Sequence, residues 1–209
     1  MGYTGAGGAP AAWRGGYAVN ERWTTRDIVV AAALAVAVGL VWVGWTWLWY
    51  WAQALFGQPA REFLGGFWII GGVLVPYIIR KPGAAIIGEF VAALVELPLT
   101  PFGAIVLLAA LIEGAGSELV FFLTRYRVWN TLVLFLAGCS GAAVFFVTYV
   151  YWVQGYGRFG LGAVALYFAL RTLGGGVLAG LGAKLLGDAL AATGVLEGFA
   201  IARERRPAV

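Results

Sequence analysis

A bundle of six transmembrane helices, all-α and with both termini in the cytoplasm, is the fold class that this sequence predicts. Three observations predict it. The chain of 209 residues is 62% hydrophobic and 11% charged, where an ordinary soluble domain carries about 25% charged residues, and its mean hydropathy is +0.86. Its apolar residues fall into six long runs joined by short loops. Its basic residues cluster between alternate runs, a pattern of membrane orientation and not of a phosphate-binding stripe. The net charge of +4 therefore does not point to nucleic acid. One cysteine and no histidine exclude a disulfide framework and the usual zinc sites, so neither metal nor cofactor is expected.

Residues 1–23 are Gly/Ala-rich and read as a flexible cytoplasmic tail, because no short apolar core with a cleavage site follows them directly. The membrane domain is expected over 24–200, with a basic cytoplasmic tail over 201–209. Thr24 or Thr25 is placed to cap the first helix. The first span runs from Ile28 to about Phe56. Near its start Ala31, Ala35 and Gly39 recur every four residues, with Ala33 and Ala37 beside them. Small residues at this spacing let another helix approach closely, either inside the bundle or in a partner protein. The far end carries Trp42, Trp45, Trp47, Trp49, Tyr50 and Trp51, most of which read as an interfacial aromatic belt.

Span two covers about Phe63 to Ile79 and ends at Arg80-Lys81-Pro82, and Pro82 opens span three, Gly83 to Leu97. Span four runs from Phe102 to Leu123 and span five from Trp129 to Trp152. The last apolar stretch, Leu161 to Leu196, exceeds the roughly 20 residues of one crossing. Gly174-Gly175-Gly176 could bend it, or its end from Lys184 could lie along the interface.

Six spans place both termini on one side. That side holds Arg14, Arg22, Arg26, Arg80, Lys81, Arg125, Arg127, Arg203, Arg205 and Arg206, while the opposite loops hold only Arg61 and Arg158. The positive-inside rule makes the arginine-rich side cytoplasmic and the chain a multi-pass plasma-membrane protein.

The most informative feature is a set of carboxylates inside apolar runs: Glu89, Glu96, Glu113 and Glu118. One at the bilayer centre costs about 3 kcal/mol even on lenient scales, so each needs a cavity, a cation or a ligand. At about 1.5 Å of rise per residue, Glu96 lies near the outer surface and Glu89 roughly 10 Å deeper on the same face. Glu113 falls near the midplane and Glu118 deeper, turned about 140° away. Trp68 and Tyr149 lie in the outer halves of spans two and five, and Arg171 near the midplane of span six. The residues thus predict an outward pocket lined by Trp68, Glu89, Glu96, Glu113 and Tyr149. It suits a flat, cationic or amine-bearing ligand through aromatic faces and carboxylate acceptors. Alternatively the acids pair with Arg171, Arg80 and Arg125 to hold the bundle together, which is the expected role of Glu118.

The stretches IIRKPGAAIIGEFVAALVE, EGAGSELVFFLTRYR and TGVLEGFAIARERR resemble the S component of an energy-coupling factor (ECF) transporter. They are most similar to the YkoE-type group, associated with thiamine or its hydroxymethylpyrimidine precursor. The resemblance runs from about Trp23 to Arg206. It implies a six-helix subunit that captures a vitamin on the outer side and partners a transmembrane T component and two cytoplasmic ATPases. It also implies that Glu89, Glu96, Glu118 and Trp68 match family positions, and that Ala31, Ala35 and Gly39 form the contact with the T component. The chain departs from the family at Glu113, where a glutamine is expected, and at Thr148 and Val150, where an acid is common. Thiamine offers a positive thiazolium and an aminopyrimidine edge, which an acid-rich pocket suits.

A proton-coupled carrier working alone is the nearest alternative, since intramembrane glutamates often relay protons. An enzyme would need a nucleophile–base pair or a metal cluster, and the chain offers Cys139 with only Ser140 and glycines beside it. No Walker motif is present, so ATP hydrolysis must come from a partner.

The orientation is testable by cysteine accessibility in a Cys139→Ala background. Cysteines placed near Arg14 and Arg205 should escape an impermeant reagent applied outside intact cells. Labelling at either end would contradict a cytoplasmic location.

Overall fold

The computed structural model describes residues 22–203, so the expectations for residues 1–21 and 204–209 lie outside the described residues. The described chain is helical throughout. Helix α1 (Thr25–Phe56) is followed by α2 (Gln58–Gly65), a tighter turn over Gly66–Ile70 and α3 (Gly71–Ile79). Then come α4 (Ala84–Glu96), α5 (Ile105–Leu123) and α6 (Thr131–Phe145). The last run is α7 (Leu161–Gly174), α8 (Gly182–Ala192) and the short α9 (Ala200–Arg203).

Five helical runs are long and apolar enough to cross a membrane: Thr25–Phe56, Gln58–Ile79, Ile105–Leu123, Thr131–Val150 and Leu161–Ala192. Helix α4, with 13 residues, is the short sixth crossing, about 20 Å long at 1.5 Å per residue. Its neighbours fix its direction. Asp27 at the start of α1 binds Lys81 at 3.0 Å, just before α4, and Thr46 reaches Glu96 at 3.5 Å at the far end. The two helices therefore run parallel, with α3 and α5 antiparallel to them. Six crossings result, and the outer faces are apolar: Val29, Leu40, Phe122 and Leu161 are all more than half exposed, as lipid-facing residues must be.

Local chemistry sets the ends. Thr24 caps α1 by accepting from the Asp27 amide at 3.2 Å, while Asp27 accepts from the Thr24 amide at 2.9 Å. Asn130 caps α6 on the Val133 amide at 2.9 Å. The final apolar stretch does not break at Gly174-Gly175-Gly176. It continues through a widened π-helical segment, Gly175–Leu181, and Lys184 pairs with Asp188 one turn on at 2.6 Å.

One expectation for α1 is corrected. Ala31, Ala35 and Gly39 are buried against α4 rather than open to a partner. A Cβ on Gly39 would stand 2.5 Å from the Ala92 carbonyl oxygen, so this face serves close packing inside the bundle. Ala33 and Ala37, half a turn away, are exposed. Trp42 and Trp49 are also turned inward, at 1% and 7% exposure, while Trp47 and Trp51 remain outside as belt residues.

Several of the tightest contacts join the glycines of the last apolar run to the backbone of earlier elements. A Cβ on Gly66 would overlap the Gly174 and Gly175 backbone, and one on Gly138 would overlap the Gly175 carbonyl. Without a hydrophobic drive between helices in lipid, such backbone approach supplies the packing. Gly66→Ala or Gly138→Ala should lower stability by about 1–3 kcal/mol or more. Gly162→Ala, with open space around it, should leave the thermal midpoint in detergent unchanged. Equal midpoints for all three would contradict this packing.

Candidate functional site

At the outer end the helices separate around a cavity of about 110 Å³ that is open to solvent. Each wall follows from local sequence. Along α1 the buried positions Ala31, Ala35, Val38, Trp42, Thr46, Trp49 and Ala52 step by three or four residues, so the stripe that packs on α4 turns its indoles into the cavity. Trp49 donates to the Arg61 carbonyl oxygen at 2.9 Å. Its ring meets Trp68 edge-on at 5.6 Å and Phe102 at 5.9 Å, and the Arg61 guanidinium lies 4.5 Å above it. Opposite, Phe145 and Tyr149 of the α6 run stack at 5.2 Å. The cavity is thus walled by aromatic rings on both sides.

Among the polar groups, Trp68 donates its indole N–H to Glu96 Oε1 at 3.0 Å. That bond fixes the carboxylate on the wall. Glu113 lines the cavity from α5, with Arg171 Nη2 at 3.8 Å, beyond hydrogen-bond distance. Arg171 is held more closely by Glu62, at 3.2 Å. Glu62 is fully buried and also accepts from Gln58 at 2.9 Å and from the Tyr156 hydroxyl. Burial and then the neighbouring Glu62 carboxylate push the Tyr156 phenol, in the outer loop, above its usual range. Among the described residues no ion pair reaches Glu96, so its carboxylate is free to face an amine or a cation.

Of the residues expected at the site, Trp68, Glu96, Glu113 and Tyr149 line the cavity, and Arg171 joins them. Glu89 does not. It lies behind the wall, with Oε1 accepting from the Gly72 amide at 2.5 Å and Oε2 buried without a partner. The seven-residue spacing to Glu96 is real, but α3 closes over Glu89 where Gly71 and Gly72 meet α4. Glu118 also lies outside the cavity lining, and among the described residues no arginine pairs with it. It accepts from the Gly83 and Ala85 amides at 2.6 and 2.9 Å and from the Tyr126 hydroxyl at 2.7 Å. It thereby satisfies the free N–H groups at the start of α4. Trp42, Trp49, Arg61, Phe102 and Phe145 line the cavity unforeseen. The three-to-four-residue spacing of the buried α1 positions was the available signal for the first two. Glu62 was hidden by its place beside Arg61 in what reads as a loop.

The comparisons with known proteins agree with this architecture. Residues 26–145 match the family described as ABC-type cobalt transport system, permease component. The chain is 36% identical over 183 residues to a protein of Bacillus subtilis (strain 168) named as the HMP/thiamine permease protein YkoE, covering 87% of this chain and 92% of that protein. A solved structure described as an S component of an ECF transporter superposes with a TM-score of 0.83 at 35% identity, covering 88% of this chain and 93% of that one. A six-crossing bundle with an outward cavity, alike in sequence and shape to these proteins over most of its length, belongs to the YkoE-type family of ECF transporter S components: it is a multi-pass membrane subunit that binds substrate for an ATP-driven importer.

Proposed function

We propose that this subunit captures thiamine or its hydroxymethylpyrimidine precursor at the outer face and presents it to a T component and two ATPases for uptake. The observation that carries this reading is the Trp68–Glu96 pair set between two aromatic walls. A flat heteroaromatic ring fits between Trp49 and Trp68 on one side and Phe145 and Tyr149 on the other. Its exocyclic amine is a donor for Glu96, and Glu113 is a second acceptor across the cavity. The relative named as an HMP/thiamine permease supports the same ligand class. The partners follow from membership of the family, since the chain carries no nucleotide-binding motif of its own.

Charge balance favours an amine or a cation over an anion. Arg171 is shared between Glu62 and Glu113, which leaves Glu96 for the ligand. A charge-assisted hydrogen bond is worth about 1.5–3 kcal/mol, equivalent to about 10- to 150-fold in affinity.

Calorimetric titration of the purified subunit with both compounds, without ATP, tests this reading. Glu96→Gln should weaken binding about 10- to 150-fold, and Glu113→Gln should weaken it in the same direction. Glu118→Gln should leave affinity near that of the wild type, because Glu118 acts at the opposite end of α4. Unchanged affinity for folded Glu96→Gln would overturn the assignment of the cavity.

A further inference from the structure

Two donors on residues that line the cavity find no protein partner. Arg171 Nε and Trp42 Nε1 are buried without a partner, and both side chains line the cavity. A buried donor left unpaired is costly. The remaining Arg171 amino group, Nη2, stops at 3.8 Å from Glu113. The guanidinium does not close this gap because it is anchored on its other edge. Glu62, outside the cavity, takes Nη1 at 3.2 Å and is itself fixed by Gln58 and Tyr156. The Phe145 ring lies 5.0 Å from the guanidinium carbon, which holds the plane. Gly65 leaves room for this placement, since a Cβ there would stand 2.6 Å from Nη1.

We propose that Glu62 positions Arg171 as a specificity contact, so that the ligand must present lone-pair acceptors to the Arg171 side of the cavity as well as an amine to Glu96. The inference rests on the ligand class proposed above and adds to it. The recognised edge is then an amine beside ring nitrogens, the pattern of an aminopyrimidine, and an aromatic amine without ring nitrogens is rejected. Such rejection is strong because the site's own polar groups would stay unpaired. Glu62 acts only through Arg171 and touches no ligand.

The test compares hydroxymethylpyrimidine with its benzene analogue, in which both ring nitrogens are CH, by titration of the full-length protein. The wild type should prefer the pyrimidine by about 10-fold or more. Arg171→Gln should bring that preference towards unity by weakening the pyrimidine alone. Glu62→Gln should do the same, and should add nothing in the Arg171→Gln background. If Arg171→Gln does not fold, Arg171→Lys keeps a cation for Glu62 but removes the planar fork, and it too should lose the preference. Equal affinity of the wild type for both compounds would overturn the inference, as would a preference that survives either Arg171 substitution. Pyrimidine binding with such a result would leave the proposed ligand standing. Failure of the wild type to bind either compound would overturn the ligand class and this inference with it.

Discussion

A carboxylate inside a bilayer must find a partner, and the structure is organised by how five of them do so. Each costs about 2.5–3.5 kcal/mol at the membrane centre on insertion scales, so an unpartnered set would offset much of a domain's stability. Glu118 rests on the amide groups that open α4 and on Tyr126. Glu62 is held by Arg171, Gln58 and Tyr156. Glu89 takes the Gly72 amide. Glu96 has an indole, and Glu113 has a guanidinium only at 3.8 Å. The first three bind helices together. The last two face the cavity, while Glu89 keeps one oxygen buried without a partner behind its wall.

Residue size separates those two jobs in space. Several close helix contacts are glycine on glycine: Gly66 with Gly174 and Gly175, Gly138 with Gly175, and Gly116 with Gly141. At the outer end the facing residues are Trp42, Trp49, Trp68, Phe102, Phe145 and Tyr149, whose bulk holds the backbones apart. One bundle thus has a packed interior and an open, aromatic-walled mouth, which a rigid binding subunit needs. A ligand of matching shape meets walls that are already in place.

Most of the fold was legible because hydropathy and rise per residue act along the chain. The six crossings and their order follow from run length and 1.5 Å per residue. What was not legible is rotation about the helix axes and closure by a neighbour. Glu89 shares a face with Glu96, yet α3 covers it because Gly71 and Gly72 allow the approach. Ala31, Ala35 and Gly39 suit a partner helix and a bundle helix equally by sequence, and only the close approach of α4 to Gly39 at Ala92 and Val95 decides for the bundle. Glu62 was obscured because Gln58-Pro59 begins a helix where the polar residues suggest a loop.

On the proposed reading the ligand sits in the outward cavity between α1, the Trp68 turn, α5 and the α6 run. A crystal structure of the subunit grown with hydroxymethylpyrimidine tests this. Ring density is expected between the Trp49–Trp68 and Phe145–Tyr149 walls, with the exocyclic amine on Glu96 and a ring nitrogen turned to Arg171. A ring bound elsewhere, or bound here with neither carboxylate in contact, would contradict it.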